Sequence, residues 1–455
     1  MMMNLIALFG IASGCNNAGV QETTDVFKAI NPKNMDTSIQ PGDDFYMYAN
    51  GQWIKNNPMP DEYSRYGSFE QLQEQNIEDL KKLMAEISKA TDAKPGTVKK
   101  KIADFYSTAM DSAKAEKLGI QPVQTIIDKI DAIDSKDQLV QTIAFLHKHS
   151  ISNSFVIYAA ADETDSKMMI ANIYQGGLGL PDRDYYTGED QRSKDIRNAY
   201  TAHLKKMFKL AGIYKNNEKE AARKVMDFET RLAKASLTRK ERRDPHKNYH
   251  KMEISQLREL MPAFDWDAYF TLINADKIEQ LNVAHPDFFR EMNTMMQDLP
   301  IEDWKTYLQW KLLNSTAPYL SSDFVNCNFD FYHKFLSGSQ KLQPRWKRAM
   351  QTTNRSLGEA VGQLYVEKHF PPEAKERMNE LVSNLKKALG VRIKNVAWMT
   401  ESTKKKALEK LGTMKVKIGY PDKWRDYSKM ETGTDSYIDN VLQARNFNFE
   451  YNISK

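Results

Sequence analysis

One stretch constrains what this chain can fold into more than any other: PGDDFYMYANGQWIKNNPMPDEYSRYGSF, from Pro41 to Phe69. A carboxylate just ahead of a helix accepts amide hydrogens that the first turn leaves unbonded, so Asp43 and Asp44 predict the start of a short helix carrying Phe45 and Tyr48. Asn50-Gly51 predicts its left-handed stop, because these residues tolerate positive φ. Pro58 and Pro60 then hold the chain extended, and Ser68 with Gln71 has the form of a capping box that opens a longer helix.

Beyond Ser68 the apolar residues recur with helical period. Phe69, Leu72, Leu80, Leu83, Met84 and Ile87 mark one face, and Val98, Ile102, Phe105, Tyr106, Ala109, Met110 and Ala113 the next. The pattern returns at Val123 to Ile130, Ile196 to Met207, Ala221 to Leu232, Met252 to Met261, Ile301 to Leu313 and Gln343 to Phe370. Pro344 is placed as a first helical residue and Pro371-Pro372 as a stop. Glu373 to Met399 predicts a long helix or pair with Met378, Leu381, Leu385 and Leu389 on one side, and Val416 to Tyr420 a short strand or extended exit.

Two segments break this rhythm. Ser154 to Ala161 and Met168 to Tyr174 are rich in β-branched and aromatic residues and flank the polar DETDSK, which predicts a β-hairpin. The GGLGLPDRDYY that follows holds too many glycines to continue either element, so it is read as an ordered loop anchored by its tyrosines; without the GxGxxG register it is not a phosphate loop. The expected fold is therefore mainly α, a large multi-helix lobe with a small β-hairpin.

Composition narrows the partners. With 65 basic and 60 acidic residues the net charge is +5 over 455 residues, too little to argue for nucleic acid. Cys15 and Cys327 are the sole cysteines, so no internal disulfide is expected, and Cys327 within VNCNFDFY is read as a small core residue. Leu5 to Ala12 is apolar and leads into Ser13-Gly14-Cys15, as small residues precede the acylated cysteine of bacterial lipoproteins. Residues 1–15 are thus expected to be a signal peptide with Cys15 as lipidation site, and 16–35 a polar tether. This predicts a lipid-anchored protein of the bacterial cell envelope, touching the membrane through that anchor only.

The search for chemistry is short. None of the eight histidines begins an HExxH motif, in which two imidazoles one helical turn apart hold a metal and the glutamate polarises its water. His246 and His250 have the spacing, yet Lys247 stands where the glutamate would be and Pro245 suggests a loop or helix start. His147 and His149 diverge on a helix, and His203 reads as a satisfied core histidine. There is no GxSxG, Walker loop or CxxC.

The strings DDFYMYANGQW, SRYGSF, GLGLPDRDYY, YLSSDFV, NFDFY, LSG, PRWKR and VKIGYP lie in order along the chain. From Asp36 to about Pro421 it resembles the neprilysin-like M13 zinc metallopeptidases. The resemblance implies the fold of the M13 N-terminal domain, with residues 61–421 as the helical domain, 36–60 as a connector packing on the catalytic domain, and 422–455 as the start of a linker towards it. It also implies peptide substrates and zinc in the full-length member. HExxH and its ExxAD partner belong to the C-terminal catalytic domain, so this chain is expected to lack zinc ligands and catalytic residues, to be a fragment, and to be inactive alone.

By the same resemblance Arg65, the arginine of SRYGxF, binds the carboxylate at a peptide's C-terminal end, with a structural ion pair as the other use for such a guanidinium. Gln73 replaces the second arginine that some members carry, which favours an endopeptidase. Gly42 and Asn50 stand where many animal members have cysteines, as fits a bacterial member. Phe45, Tyr48 and Trp53 are expected to be exposed. The alternative is a noncatalytic envelope lipoprotein that binds peptides, proteins or nutrients.

Overall fold

The computed structural model describes residues 31–89 and 94–455, which divide into two compact units after Pro60. Cys15 and the apolar run before it lie outside the described residues.

In the first unit Asp44 caps a helix over Phe45–Asn56, its carboxylate accepting the Met47 amide hydrogen at 2.9 Å. The helix runs straight through Asn50-Gly51, where the sequence predicts a stop. Gly51 is there for close approach: it is buried, and an added Cβ would lie 2.8 Å from Asp36 Cβ. Asp36 is fixed in turn by its amide donating to the Tyr48 carbonyl at 2.8 Å, and its carboxylate accepts from Lys55 Nζ at 2.6 Å and Ser38 Oγ at 2.5 Å. Those bonds, Lys55 first, lower its pKa to about 2. Of the three aromatics expected on an exposed face, Phe45 is 69% exposed, whereas Tyr48 and Trp53 are half-buried.

The second unit is built mainly of helices around a small sheet. Strands β1 (Phe155–Ala161) and β2 (Met169–Gln175) form the predicted antiparallel hairpin. Two more strands, β3 (Lys251–Glu253) and β4 (Gln280–Val283), complete the order β1-β2-β4-β3, with β2 and β4 parallel. Three or four residues are too few to show a period, which is why the sequence conceals them. β3 takes the start of the predicted Met252 to Met261 helix, leaving Ile254–Leu260 helical. At the outer edge of β1, Asn452 bonds Ala159 twice: its Oδ1 accepts from the Ala159 amide at 2.9 Å and its Nδ2 donates to the Ala159 carbonyl at 3.2 Å.

Helix Ile301–Thr316 runs through the core, with ten of its 16 residues buried and Glu302 its one exposed residue. Trp304, Tyr307 and Trp310 of this helix are wholly enclosed, as are Tyr200, Trp266 and Tyr269. The predicted helical faces hold for Ile102, Phe105 and Ala109 and for Val123 to Ile130. They fail at the start of helix Ser68–Lys89, where Phe69 and Leu72 are exposed while Leu83, Met84 and Ile87 are buried.

Gln343 to Phe370 is two helices, Arg345–Ser356 and Gly358–His369, with Pro344 one residue outside the first. Helices Pro372–Asn395 and Glu401–Thr413 pair with no buried residue in either, and Met378, Leu381, Leu385 and Leu389 all face water. Val416 to Tyr420 is irregular rather than a strand. Helix Tyr437–Ile453, in the segment assigned to a linker, sends Ile438, Val441, Leu442 and Ala444 into the core.

Candidate functional site

Arg65 belongs to a segment that is bolted to the lobe on both sides. Upstream, the Asp61 carbonyl accepts the amides of Gln340 and Lys341 at 2.8 and 3.1 Å. The Tyr63 hydroxyl donates to Glu74, and the buried Lys347 of PRWKR donates to both, at 2.6 Å to Glu74 and 3.2 Å to Tyr63. Burial, then the Glu74 carboxylate, push the Tyr63 hydroxyl far above its usual range. Downstream, helix Ser68–Lys89 begins three residues on. Between these anchors the Arg65 side chain is 88% exposed, with Nε 3.2 Å from Glu70 Oε1. The Nε edge of Arg65 therefore makes an ion pair, while the rest of its guanidinium faces solvent.

The GGLGLPDRDYY loop is held by a buried polar network. The Tyr186 hydroxyl accepts the amides of Gly179 and Leu180 at 3.1 and 2.8 Å and donates to Glu229 Oε2 at 2.6 Å. Tyr200 donates to the same oxygen at 2.9 Å, and Trp310 Nε1 donates to Tyr200 at 2.8 Å. Lys311 Nζ lies 3.9 Å from Glu229 Oε1 and donates to the carbonyls of Gly177 and Leu178, both at 3.2 Å. Tyr307 and Tyr332 donate to the Gly177 and Gly179 carbonyls.

Burial pushes Glu229 up, against the pull of Lys311 and the two tyrosines, and pushes Lys311 down against the pull of Glu229. Gly177 has φ +82°, and a Cβ on it would strike the Tyr307 hydroxyl at 2.5 Å, so glycine is required there. The predicted tyrosine anchor is thus real, but its charged partners escaped the sequence reading. The available signal was a glutamate beside Phe228 on an apolar face and a lysine beside Trp310 in an otherwise apolar run.

The histidines do not assemble. His246 and His250 are both exposed, and the short helix Pro245–Asn248 ends between them, so they do not share a helical face. His147 is saturated by Tyr269 at 2.7 Å and the Phe155 carbonyl at 2.8 Å. His203 stacks on Phe331 and its Nδ1 lies 3.5 Å from the sulfur of the buried Cys327, while its Nε2 has no partner, so it is only half satisfied. Among the described residues no group of three or more His, Cys, Asp or Glu side chains converges as a metal site. The zinc of the resembling family therefore finds no fitting ligand set among them.

The N-terminal model of peptidase family M13 matches residues 41–421, and the chain belongs to that family. Endothelin-converting enzyme 1 of Rattus norvegicus is 28% identical over an alignment of 435 positions that covers 91% of this chain and 56% of that protein.

The zinc metalloprotease Zmp1 of Mycobacterium tuberculosis, solved with an inhibitor, is 31% identical and superposes with a TM-score of 0.88 over 93% of this chain and 64% of its own. PepO of Lactobacillus rhamnosis shares the fold at a TM-score of 0.78 and 22% identity, over 90% of this chain and 66% of its own. The chain spans a little over half the length of the endothelin-converting enzyme it matches. Among the described residues no helix is long and apolar enough to cross a membrane.

Proposed function

We propose that this chain supplies the lobe that admits peptides to the zinc site of a metalloendopeptidase, with Arg65 taking a substrate carboxylate. The observation that carries this reading is the geometry of Arg65: an exposed guanidinium on a rigidly fastened segment, inside the region matched to the family. Guanidinium pairs with carboxylates edge to edge, and pre-organisation lowers the entropy lost in forming the pair. Two faces left in water support the packing of a catalytic domain: Phe45 with Tyr46 in the first unit, and Met378, Leu381, Leu385, Leu389 and Trp398 in the second. The 455 residues hold no HExxH, so the lobe is proposed to bind peptide without cleaving it. Envelope anchoring through Cys15 belongs to the same reading and rests on the sequence.

The test is fluorescence anisotropy with a labelled peptide and its C-terminal amide. The acid is expected to bind more tightly, and Arg65→Met to remove about threefold to tenfold of that preference, the range for an exposed charge-assisted pair. Equal affinity of acid and amide for the unaltered chain refutes the role of Arg65. Stoichiometric zinc by elemental analysis together with peptide hydrolysis by the chain alone refutes the noncatalytic assignment.

A further inference from the structure

A cavity of about 350 Å³ lies beside the lead-in to helix Arg345–Ser356 and is also lined by Phe329 and His333 and by Tyr437. Phe329 and His333 belong to a π-helical segment, Phe329–Phe335, a widened turn that recurs at functional sites. Its walls are aromatic: Tyr319 and Tyr437 pack edge to face at 5.5 Å, and His333 stacks on Phe329 at 5.9 Å. Its charged lining is one-sided, with Lys341, Arg348 and Arg355 against the single carboxylate of Glu62.

Neighbouring cations on the same helix are spoken for. Lys347 pairs with Glu74 at 2.6 Å, and Arg345 Nε donates to the Ala109 carbonyl at 2.8 Å. Arg348 is not: its Nε donates to the Gln343 carbonyl at 3.1 Å, and no carboxylate among the described residues pairs with it, with Lys341 or with Arg355. Burial first, and the nearby Arg345 second, push the Arg348 pKa down. A half-buried guanidinium with its terminal nitrogens unclaimed, in a cavity with aromatic walls, has two unmet demands: a counter-charge and apolar surface.

We propose that this cavity binds a carboxylate borne on an apolar body, the terminal nitrogens of Arg348 holding the carboxylate, Arg355 and Lys341 supplying field, and Tyr319, Phe329 and Tyr437 enclosing the body. Inorganic phosphate would satisfy the charge and waste the walls. A cavity at the small end of the ligand-site range suits a ligand of one or two residues, and Glu62 favours a monocarboxylate over a diacid. The carboxylate belongs either to a free organic acid or to the end of a peptide. This site uses none of the Arg65 geometry and stands independently of it.

Calorimetric titration decides the matter, using N-acetylphenylalanine, its amide, an N-acetylated tripeptide ending in phenylalanine, and inorganic phosphate against the full chain. The acid is expected to bind, the amide and phosphate about tenfold or more weakly, with Arg348→Met losing about tenfold, Arg355→Gln about threefold and Arg65→Met nothing. Comparable binding of the tripeptide assigns the site to peptide ends, and binding of the small acid alone assigns it to organic acids. The proposal falls if neither acid binds, if amide or phosphate binds as tightly as the acid, or if Arg348→Met and Arg355→Gln both leave affinity unchanged. Arg355 is exposed, so its variant keeps the test decisive even where Arg348→Met fails to fold.

Discussion

Replacing Lys311 by methionine leaves the Glu229 carboxylate buried without its cation. At 3.9 Å and an effective dielectric constant of about 20, the pair interaction is about 4 kcal/mol, in line with the 3–5 kcal/mol typical of breaking one side of a buried pair. Glu229 can escape part of that loss by taking a proton. Its folded pKa already lies above the unfolded value, so the folded state binds more protons than the unfolded one between the two. Stability in that window falls as pH rises, by up to about 1.4 kcal/mol per pH unit.

Loss of Lys311 widens the window upward. The destabilisation by Lys311→Met is therefore expected to approach about 4 kcal/mol at pH 8 and to shrink towards pH 5.5. Glu229→Gln combined with Lys311→Met removes the stranded charge and is expected to recover most of the loss at pH 8. Urea unfolding followed by tryptophan fluorescence reads it, since Trp310 bonds Tyr200 within the network, and hydrogen exchange over residues 176–186 reads the loop directly. A loss equal at both pH values, or a double variant as unstable as the single one, refutes the account.

Gly51→Ala is expected to cost about 1–3 kcal/mol through overpacking against Asp36, outweighing the helix-propensity gain of about 1 kcal/mol. Faster proteolysis within residues 36–57 reports it, and unchanged or slower cleavage contradicts it. Cys327 is buried and its thiol is pushed up to about 11, chiefly by burial, so peptide mapping should find it unalkylated in the native chain and alkylated in urea. Burial lowers His147 to about 4, His203 to about 3 and His285 to about 4. A base with a lowered folded pKa binds fewer protons folded than unfolded, so below about pH 6.5 each removes stability as pH falls, by up to about 1.4 kcal/mol per unit. His203→Phe keeps the stack on Phe331 and should flatten that slope; an unchanged slope between pH 6.5 and 4.5 counts against it.

Residues that speak through local pattern were legible. Ile102, Phe105 and Ala109 announced a buried face, the hairpin announced itself by composition, and the tyrosines of GGLGLPDRDYY announced an anchored loop. What stayed hidden depends on residues distant in sequence. Gly51 looks like a left-handed stop because the sequence does not show that Asp36 presses against it. Glu229 and Lys311 are ordinary charges until helices 82 residues apart place them together. Met378, Leu381, Leu385 and Leu389 share a side as expected, but period alone cannot say whether that side faces protein or water. Arg65 is proposed on resemblance, whereas the Arg348 cavity draws on segments from Glu62 to Tyr437 and has no contiguous motif.

A side-chain amide carries a carbonyl acceptor beside N–H donors, as a peptide group does, and Asn452 presents its oxygen and one N–H to Ala159 on β1's outer edge. It acts as a strand one residue long. Val156 and Tyr158, partly exposed on that strand, would otherwise flank an open template for self-recognition by a second chain. That plug is fitted from the last turn of a helix nearly three hundred residues away in sequence, and the same helix packs against β1.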